Sequence, residues 1–409
     1  MRRGELESHL LILVTLGLVA FGLVMVYSAT SAPAALGDDD PSSYLKRQAA
    51  YALVGVALLA ALSRVDYRVL RRLAPTLVVV SVVLCLAVLA LGEAAGGARR
   101  WLSLGPATFQ PAELAKLALA VWAAAYLTRR PPQTLRALAR PFGVLVAVFF
   151  GLLLLQPDLG TAISIVAMLI AMLVVAGTPG RTIAAAVGVV TAVGMLAIWI
   201  EPYRRARLLS FLNPWDDVRG SGFQSVQALI GLGSGGLFGV GLGQGVQKIF
   251  YLPEAHTDMI LAVIGEELGL VGVVAVISAF AVFAYAALRI ALSCRDPFGK
   301  NLAAGLAALV CGQALINLAA VLGLAPLTGI PLPFVSYGGS NLVIALASVG
   351  VLLNIAGSDG RERASVRDRG RRDGGARPAL AGGGRGARGA RSDGELRRLP
   401  GAGRSAARP

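Results

Sequence analysis

Charge is scarce in this chain of 409 residues: 15% are Asp, Glu, Lys or Arg, 56% are hydrophobic, and the mean hydropathy is +0.69. Soluble domains carry about 25% charged and about 45–50% apolar residues, so the composition excludes an ordinary soluble globule. Histidine is rarer still, with only His9 and His256, and no Cys/His spacing suits zinc; no protein-held metal cluster is expected. The three cysteines stand apart. Cys85 and Cys311 fall in apolar runs and Cys294 in a short basic loop, so none is placed for a structural disulfide. Polar–apolar alternation, the mark of a membrane β-barrel, is also missing; the apolar runs are continuous.

Those runs are long. A hydrocarbon core about 30 Å thick takes roughly 20 residues per helix. Ten candidate spans can be read, at about 9–27, 48–63, 74–92, 112–127, 141–155, 159–176, 181–199, 258–289, 302–323 and 340–356. The fold class is therefore all-α and polytopic, with ten transmembrane helices and a large extracytoplasmic loop, 200–257, between helices 7 and 8. The first run is too long for a signal peptide's apolar region, so it reads as an uncleaved anchor. The segment 258–289 exceeds one crossing, and its first turns, with Asp258, Glu266 and Glu267, are expected at the outer interface.

Lys and Arg in the loops set the orientation. With the N-terminus inside, the inner segments hold 14 Lys and Arg, and the short outer loops hold 4: Lys46, Arg47, Arg99 and Arg100. Both termini are then cytoplasmic. Residues 1–356 form the membrane domain. Residues 357–409, with fourteen Arg against six acids amid Gly and Ala, read as a disordered tail that touches anionic lipid. Nothing else in the chain supports nucleic acid as a partner.

In this orientation every unusual polar, Pro- or Gly-rich cluster lies outside. These are "RRWLSLGPATFQPAELAK", "QPDLGT", the loop 200–257 and "PLTGIPLPFVSYGGSN". The inner loops are short, basic and plain. Ionisable residues within spans are costly and usually paired. Glu113 and Lys116 sit one turn apart; they either pair with each other or leave Lys116 to meet Asp158 or Asp258. Asp258, in "HTDM", has a capping candidate in His256 or Thr257, which would put it in a helix's first turn where the dipole favours the carboxylate. It is either a plain helix-start acid or a general base at the membrane–water boundary. Arg204, Arg205 and Arg207 could grip a pyrophosphate or form an interfacial belt. "GFQSVQALIGLG" places Phe223, Val226, Leu229 and Ile230 on one face of an interfacial helix. The Gly-rich run 231–245 lacks the strand and GK[ST] of a nucleotide loop; its glycines suit tight turns and close backbone approach. Trp101 is an interfacial aromatic or a sugar-stacking ring.

Taken together, "FQPAELAKL", "QPDLGT", "FLNPWDD", "GSGFQSVQALI", "GSGGLFGVGLGQGVQKIFYLPEAHTD", "VIGEELG" and "GIPLPFVSYGGSN" resemble the SEDS family (shape, elongation, division and sporulation), within it the FtsW type. The resemblance covers about residues 10–356. Met259, Ala228 and Asn341 depart from the usual motif residues without removing a charged one.

The resemblance implies a peptidoglycan glycosyltransferase of the bacterial inner (plasma) membrane, active at the division septum. It would join a growing polyprenyl-pyrophosphate-linked glycan to lipid II with inversion at the anomeric carbon. Asp258 matches the family's essential aspartate. Gln110, Glu113 and Lys116 fall in the first motif, Asp158 in the second, and Lys248, Glu254 and His256 in the motif leading to Asp258. Ser336 lies in the last motif; Trp101 and Arg207 complete the supporting set. No organic cofactor is implied; a divalent cation, Mg or Mn, is the one ion the pyrophosphate chemistry invites. The implied partners are lipid II, a class B penicillin-binding transpeptidase, other division proteins and membrane lipid. A lipid II flippase or a non-catalytic division scaffold are the competing readings. A flippase needs polar groups through the bilayer, whereas here they gather at the outer end.

Overall fold

A segment that crosses hydrocarbon meets no water, so it must satisfy its own backbone N–H and C=O groups, which a helix does. In the computed structural model, which describes residues 3–36, 40–95, 98–105, 107–249 and 251–375, each apolar run is helical. The chain opens with α1 (Arg3–Leu36), α2 (Ser43–Leu62) and α3 (Arg68–Leu91), and α4 (Pro111–Arg129) follows after a small sheet. The next span is bent: α5 (Leu135–Leu138), a π-helical turn (Ala139–Gly143) and α6 (Val144–Leu155), with non-helical Arg140 at the bend. Pro141 disfavours the α conformation in the residue before it. Then come α7 (Leu159–Val175) and α8 (Gly180–Ile200).

The long outer connection contains α9 (Pro202–Leu212), a 3-10 turn (Pro214–Asp217) and α10 (Phe223–Ser234), followed by α11 (Ile260–Ser293), α12 (Pro297–Val321) and α13 (Gly339–Gly375). Among the described residues eight helices have the length and apolarity to cross a membrane. The other two expected positions are held by α7, with 17 residues, and by α4, whose 19 residues include Glu113 and Lys116.

Two features add to the expected all-α fold, and one departs from the expectation. Between α3 and α4 the chain forms strands β1 (Glu93–Ala95), β2 (Ala98–Leu104) and β3 (Ala107–Phe109) in an antiparallel meander, a small addition to an all-α fold. The last apolar span, Gly339–Ser358, agrees with the expected 340–356, and its helical backbone continues to Gly375; residues 376–409 lie outside the described residues. On α10 the buried residues are Val226, Ala228 and Gly231, while Ile230 is exposed. That helix packs on α11, so small residues, not the largest apolar ones, set its inner face.

The core gathers on α12, which packs against α11, α7 and α4. Small residues permit close approach: a Cβ on Gly350 of α13 would meet the Leu59 carbonyl oxygen of α2 at 2.6 Å. By contrast α8 has Thr182 as its sole buried residue, leaving its apolar surface to lipid.

α11 is two helices in one. It breaks at Gly269, whose φ of 66° and ψ of −161° are accessible in practice only to glycine. The break frees backbone groups, and the Gly-rich run satisfies them. Val240 and Gly241 N–H donate to the Glu266 and Glu267 carbonyls at 3.0 Å, while Leu270 N–H donates to the Gly236 carbonyl at 2.9 Å. A Cβ on Gly269 would lie 2.4 Å from the Gly239 nitrogen. Gly269→Ala should therefore destabilise the outer region by at least about 1–3 kcal/mol, measurable as a lower unfolding temperature in detergent.

Candidate active site

The first turns of α4, α7 and α11 and the last turn of α12 converge with the Pro-rich segment before α13. Gln110, just ahead of α4, donates from Nε2 to Asp158 Oδ2 at 3.1 Å. Asp158 caps α7 by accepting from Thr161 N–H at 3.1 Å. The start of α7 abuts the Pro-rich segment: a Cβ on Gly160 would lie 2.7 Å from the Thr328 carbonyl oxygen. On that segment's other side stands Asp258, whose Oδ2 would lie 3.9 Å from a Cβ on Gly329. Asn317 of α12 completes the arrangement. Its Nδ2 donates to the Asp258 carbonyl at 2.7 Å and to the Ile330 carbonyl at 2.8 Å.

Asp258 is 8% exposed and does not face lipid. It precedes α11, whose N-cap is Met259, so it is not in the helix's first turn as expected. Nor is its carboxyl held low. Burial, reinforced by the nearby Glu254 charge, pushes it up to about 6, against the opposing pull of Arg207 and the Thr257 hydroxyl. Desolvation outweighs the helix terminus because the charged form loses water on most sides. Thr257 Oγ1 bridges the two acids, at 2.9 Å from Glu254 Oε2 and 3.3 Å from Asp258 Oδ1. Glu254 itself adopts φ 55°, which turns the chain beneath Asp258. His256 packs edge-on against Tyr44, with centroids 4.9 Å apart, and burial lowers its imidazole's proton affinity.

The three arginines of α9 do not act as a cluster. Arg204 donates to the Ala197 and Leu154 carbonyls, and Arg205 lies over the Trp199 ring. Arg207 alone turns toward the site, donating to the Leu327 carbonyl at 3.5 Å and attracting the Asp258 charge.

Other expected site residues lie elsewhere. Lys116 meets neither Asp158 nor Asp258; it pairs with Glu113 of its own helix at 2.7 Å, both deeply buried, while Asn341 Nδ2 donates to the second Glu113 oxygen at 3.1 Å. One helical turn brings these side chains together at no cost in loop closure. Lys248 is buried against Glu267 at 2.5 Å and Ser28 Oγ at 3.1 Å, where it pins the Gly-rich run to α11 and α1. Glu266 and Glu267 are both buried within the protein. Ser336 Oγ accepts from Leu332 N–H at 2.8 Å and fixes the Pro-rich turn. Trp101 sits in β2 opposite Glu93, half-buried. Asn317 was absent from the sequence reading, although an amide inside the apolar run of α12 is itself a signal. Arg100 was likewise counted only as loop charge, yet its Nε donates to the Gln156 carbonyl at 2.9 Å beside Asp158.

The arrangement presents one desolvated acid of raised proton affinity, one guanidinium and a rigid turn, all at the end of a membrane bundle. It can take a proton from a bound hydroxyl beside an anionic leaving group.

A family model described as "Cell cycle protein", FTSW_RODA_SPOVE, matches residues 8–360. A relative from Geobacter sp. (strain M18), "Probable peptidoglycan glycosyltransferase FtsW", is 43% identical over 87% of this chain and 98% of its own. "Stage V sporulation protein E" of Bacillus subtilis (strain 168) is 40% identical over 85% of this chain and 96% of its own. Among solved structures, a chain described under "Structural coordination of polymerization and crosslinking by a peptidoglycan synthase complex" superposes with a TM-score of 0.72 at 31% identity, covering 85% of this chain and 97% of that one. The rod shape determining protein RodA of Thermus thermophilus gives 0.61 at 30% identity, covering 85% and 95%.

Proposed function

The chain belongs to the FtsW, RodA and SpoVE family of cell cycle proteins, and from that premise we propose that it is a peptidoglycan glycosyltransferase with Asp258 as its base. The observation that carries the assignment is the Asp258 carboxyl: buried, raised to about 6 and faced by Arg207. A base works best when its pKa lies close to the working pH. Asp258 accepts the proton of the lipid II GlcNAc 4-hydroxyl as that oxygen attacks C1 of the glycan's terminal MurNAc. The C1–oxygen bond to pyrophosphate breaks with inversion, and polyprenyl pyrophosphate departs with the electron pair. Arg207 faces that leaving charge, so no second carboxylic acid is needed, unlike a glycosidase with a poor leaving group. The thinly packed flank at α8 gives a polyprenyl chain a lipid-side approach beneath α9.

Among the described residues no three His, Cys, Asp or Glu side chains form a metal cluster. Mg²⁺ or Mn²⁺ bound mainly through substrate phosphates needs as little as one carboxylate, and Glu254 would supply it. Such an ion would neutralise pyrophosphate charge. The partner in this reading is a class B penicillin-binding transpeptidase, the membrane is the bacterial inner membrane with both termini cytoplasmic, and the site of action is the septum.

The test is polymerisation of labelled lipid II by the purified protein with its transpeptidase across a pH series. Asp258 must be ionised to act, so the rate should rise with pH, reach half its plateau near pH 6 and level off above. Arg207→Gln removes a charge that favours the carboxylate; the half-maximum should therefore move to higher pH as well as the plateau falling. A rate indifferent to pH between 5 and 7 would remove Asp258 from the proton transfer.

A further inference from the structure

The inner end of the bundle carries a basic cavity that the proposed chemistry does not use. It is an open hollow of about 640 Å³ lined by Arg68, Arg71, Arg72, Arg129, Asp296 and Phe298, together with Pro75. It lies where α3 and α12 begin and α4 ends. From Phe298 to Asn317, which holds the Asp258 backbone, α12 rises about 28 Å at 1.5 Å per residue. The cavity is thus a membrane's thickness from the acid, at the end that the Lys and Arg distribution assigns to the cytoplasm.

Its charge is only partly compensated: four arginines share the lining with one carboxylate, Asp296, whose field reaches Arg68. Asp296 is committed to the fold: its Oδ2 accepts from Tyr67 Oη at 2.9 Å and from Gly299 N–H at 3.2 Å. Asp66 accepts from the Arg68 backbone N–H at 2.9 Å. Among the described residues no ion pair joins any of the four arginines to a carboxylate. Two of them are held in place by rings, Arg68 over Tyr67 at 5.8 Å and Arg71 over Phe298 at 6.0 Å. The two rings stack on each other with centroids 6.1 Å apart, so each guanidinium lies over one member of a stacked pair. Fixed guanidinium forks match phosphate oxygens in pairs.

The surface beside the cavity is apolar. Val69 and Leu73 of α3 are exposed next to the arginines, and Val80 and Val83 continue the stripe along the helix. A ligand that fits both is an amphiphile with a phosphate head and acyl chains. We propose that this cavity binds the phosphate headgroup of an anionic phospholipid of the inner leaflet, with its chains along α3. Basic pockets between spans on the cytoplasmic side recognise such headgroups.

The experiment uses the full-length purified protein and the variant Arg72→Gln/Arg129→Gln, two exposed side chains remote from Asp258. Both are titrated in neutral detergent with phosphatidylglycerol, with phosphatidylcholine and with inorganic phosphate, and bound lipid is read by native mass spectrometry. Wild type should retain phosphatidylglycerol saturably and in preference to phosphatidylcholine. The double variant should need at least about tenfold more, with its lipid-free unfolding temperature and its polymerase activity unchanged. Arg72→Lys/Arg129→Lys should recover part of the binding, since charge remains but the paired geometry does not. Equal retention by wild type and the Gln variant, or no preference over phosphatidylcholine, overturns the site. Inorganic phosphate binding as tightly as the lipid overturns the lipid as its ligand.

Discussion

Asp258→Asn should give a folded membrane protein, at least as stable as the parent, that makes almost no glycan. Loss of a general base costs about 10²–10⁴ in rate, read as labelled lipid II converted per unit time with the transpeptidase present. The stability half of the expectation follows from the same carboxyl. Its pKa rises from the ordinary 3.8 to about 6 on folding. A group that binds its proton more tightly when folded favours the folded state at low pH, and that advantage is lost as pH climbs from about 4 through about 6. Above that the ionised acid costs on the order of 3 kcal/mol, from about two pKa units at 1.36 kcal/mol each. Asparagine removes the charge and keeps the shape, so the variant should unfold at a higher temperature than the parent at pH 8 and show little gain at pH 4. An acid that only started a helix would behave in the opposite way, since its loss would destabilise. Full polymerisation by Asp258→Asn would end the catalytic assignment and favour a scaffold.

The second large effect is expected inside α4. Lys116→Met leaves Glu113 buried with only Asn341 to meet its charge. Removing one partner of a buried pair costs about 3–5 kcal/mol, whereas replacing both with uncharged groups is often neutral. Lys116→Met should therefore lower the unfolding temperature sharply and reduce the yield of folded protein. The double variant Glu113→Gln/Lys116→Met should recover most of the loss. The activity that remains in Lys116→Met should keep its half-maximum near pH 6, because Lys116 is not among the groups that set the Asp258 proton affinity. A shift of that midpoint would mean that Lys116 acts on the acid directly and is more than a structural cation.

These two sites show where sequence reasoning reached and where it stopped. Glu113 and Lys116 were legible as a pair at helical spacing, but a choice among three carboxylates is a question of distance. Asp258 was legible as an unusual acid at the head of a span. Its raised pKa was not, because burial is produced by α12, the Pro-rich turn and α9, all far away along the chain. Lys248 and Ser336 are site candidates by motif; in the structure one fastens the Gly-rich run into the broken helix and the other caps a turn. Arg204 and Arg205 looked equivalent to Arg207 until the axis of α9 sent the three in different directions.

Composition and residue order alone establish a helical membrane protein and roughly where its spans lie. These follow from transfer free energy, which is a sum over residues in order and needs no knowledge of neighbours. The tertiary structure decided the rest: the sheet after α3, the break in α11 filled by the glycine run, the partner of each buried charge, and the basic cavity at the inner end. Those depend on which groups lose water together, and desolvation is a property of a place in the fold, not of a position in the chain.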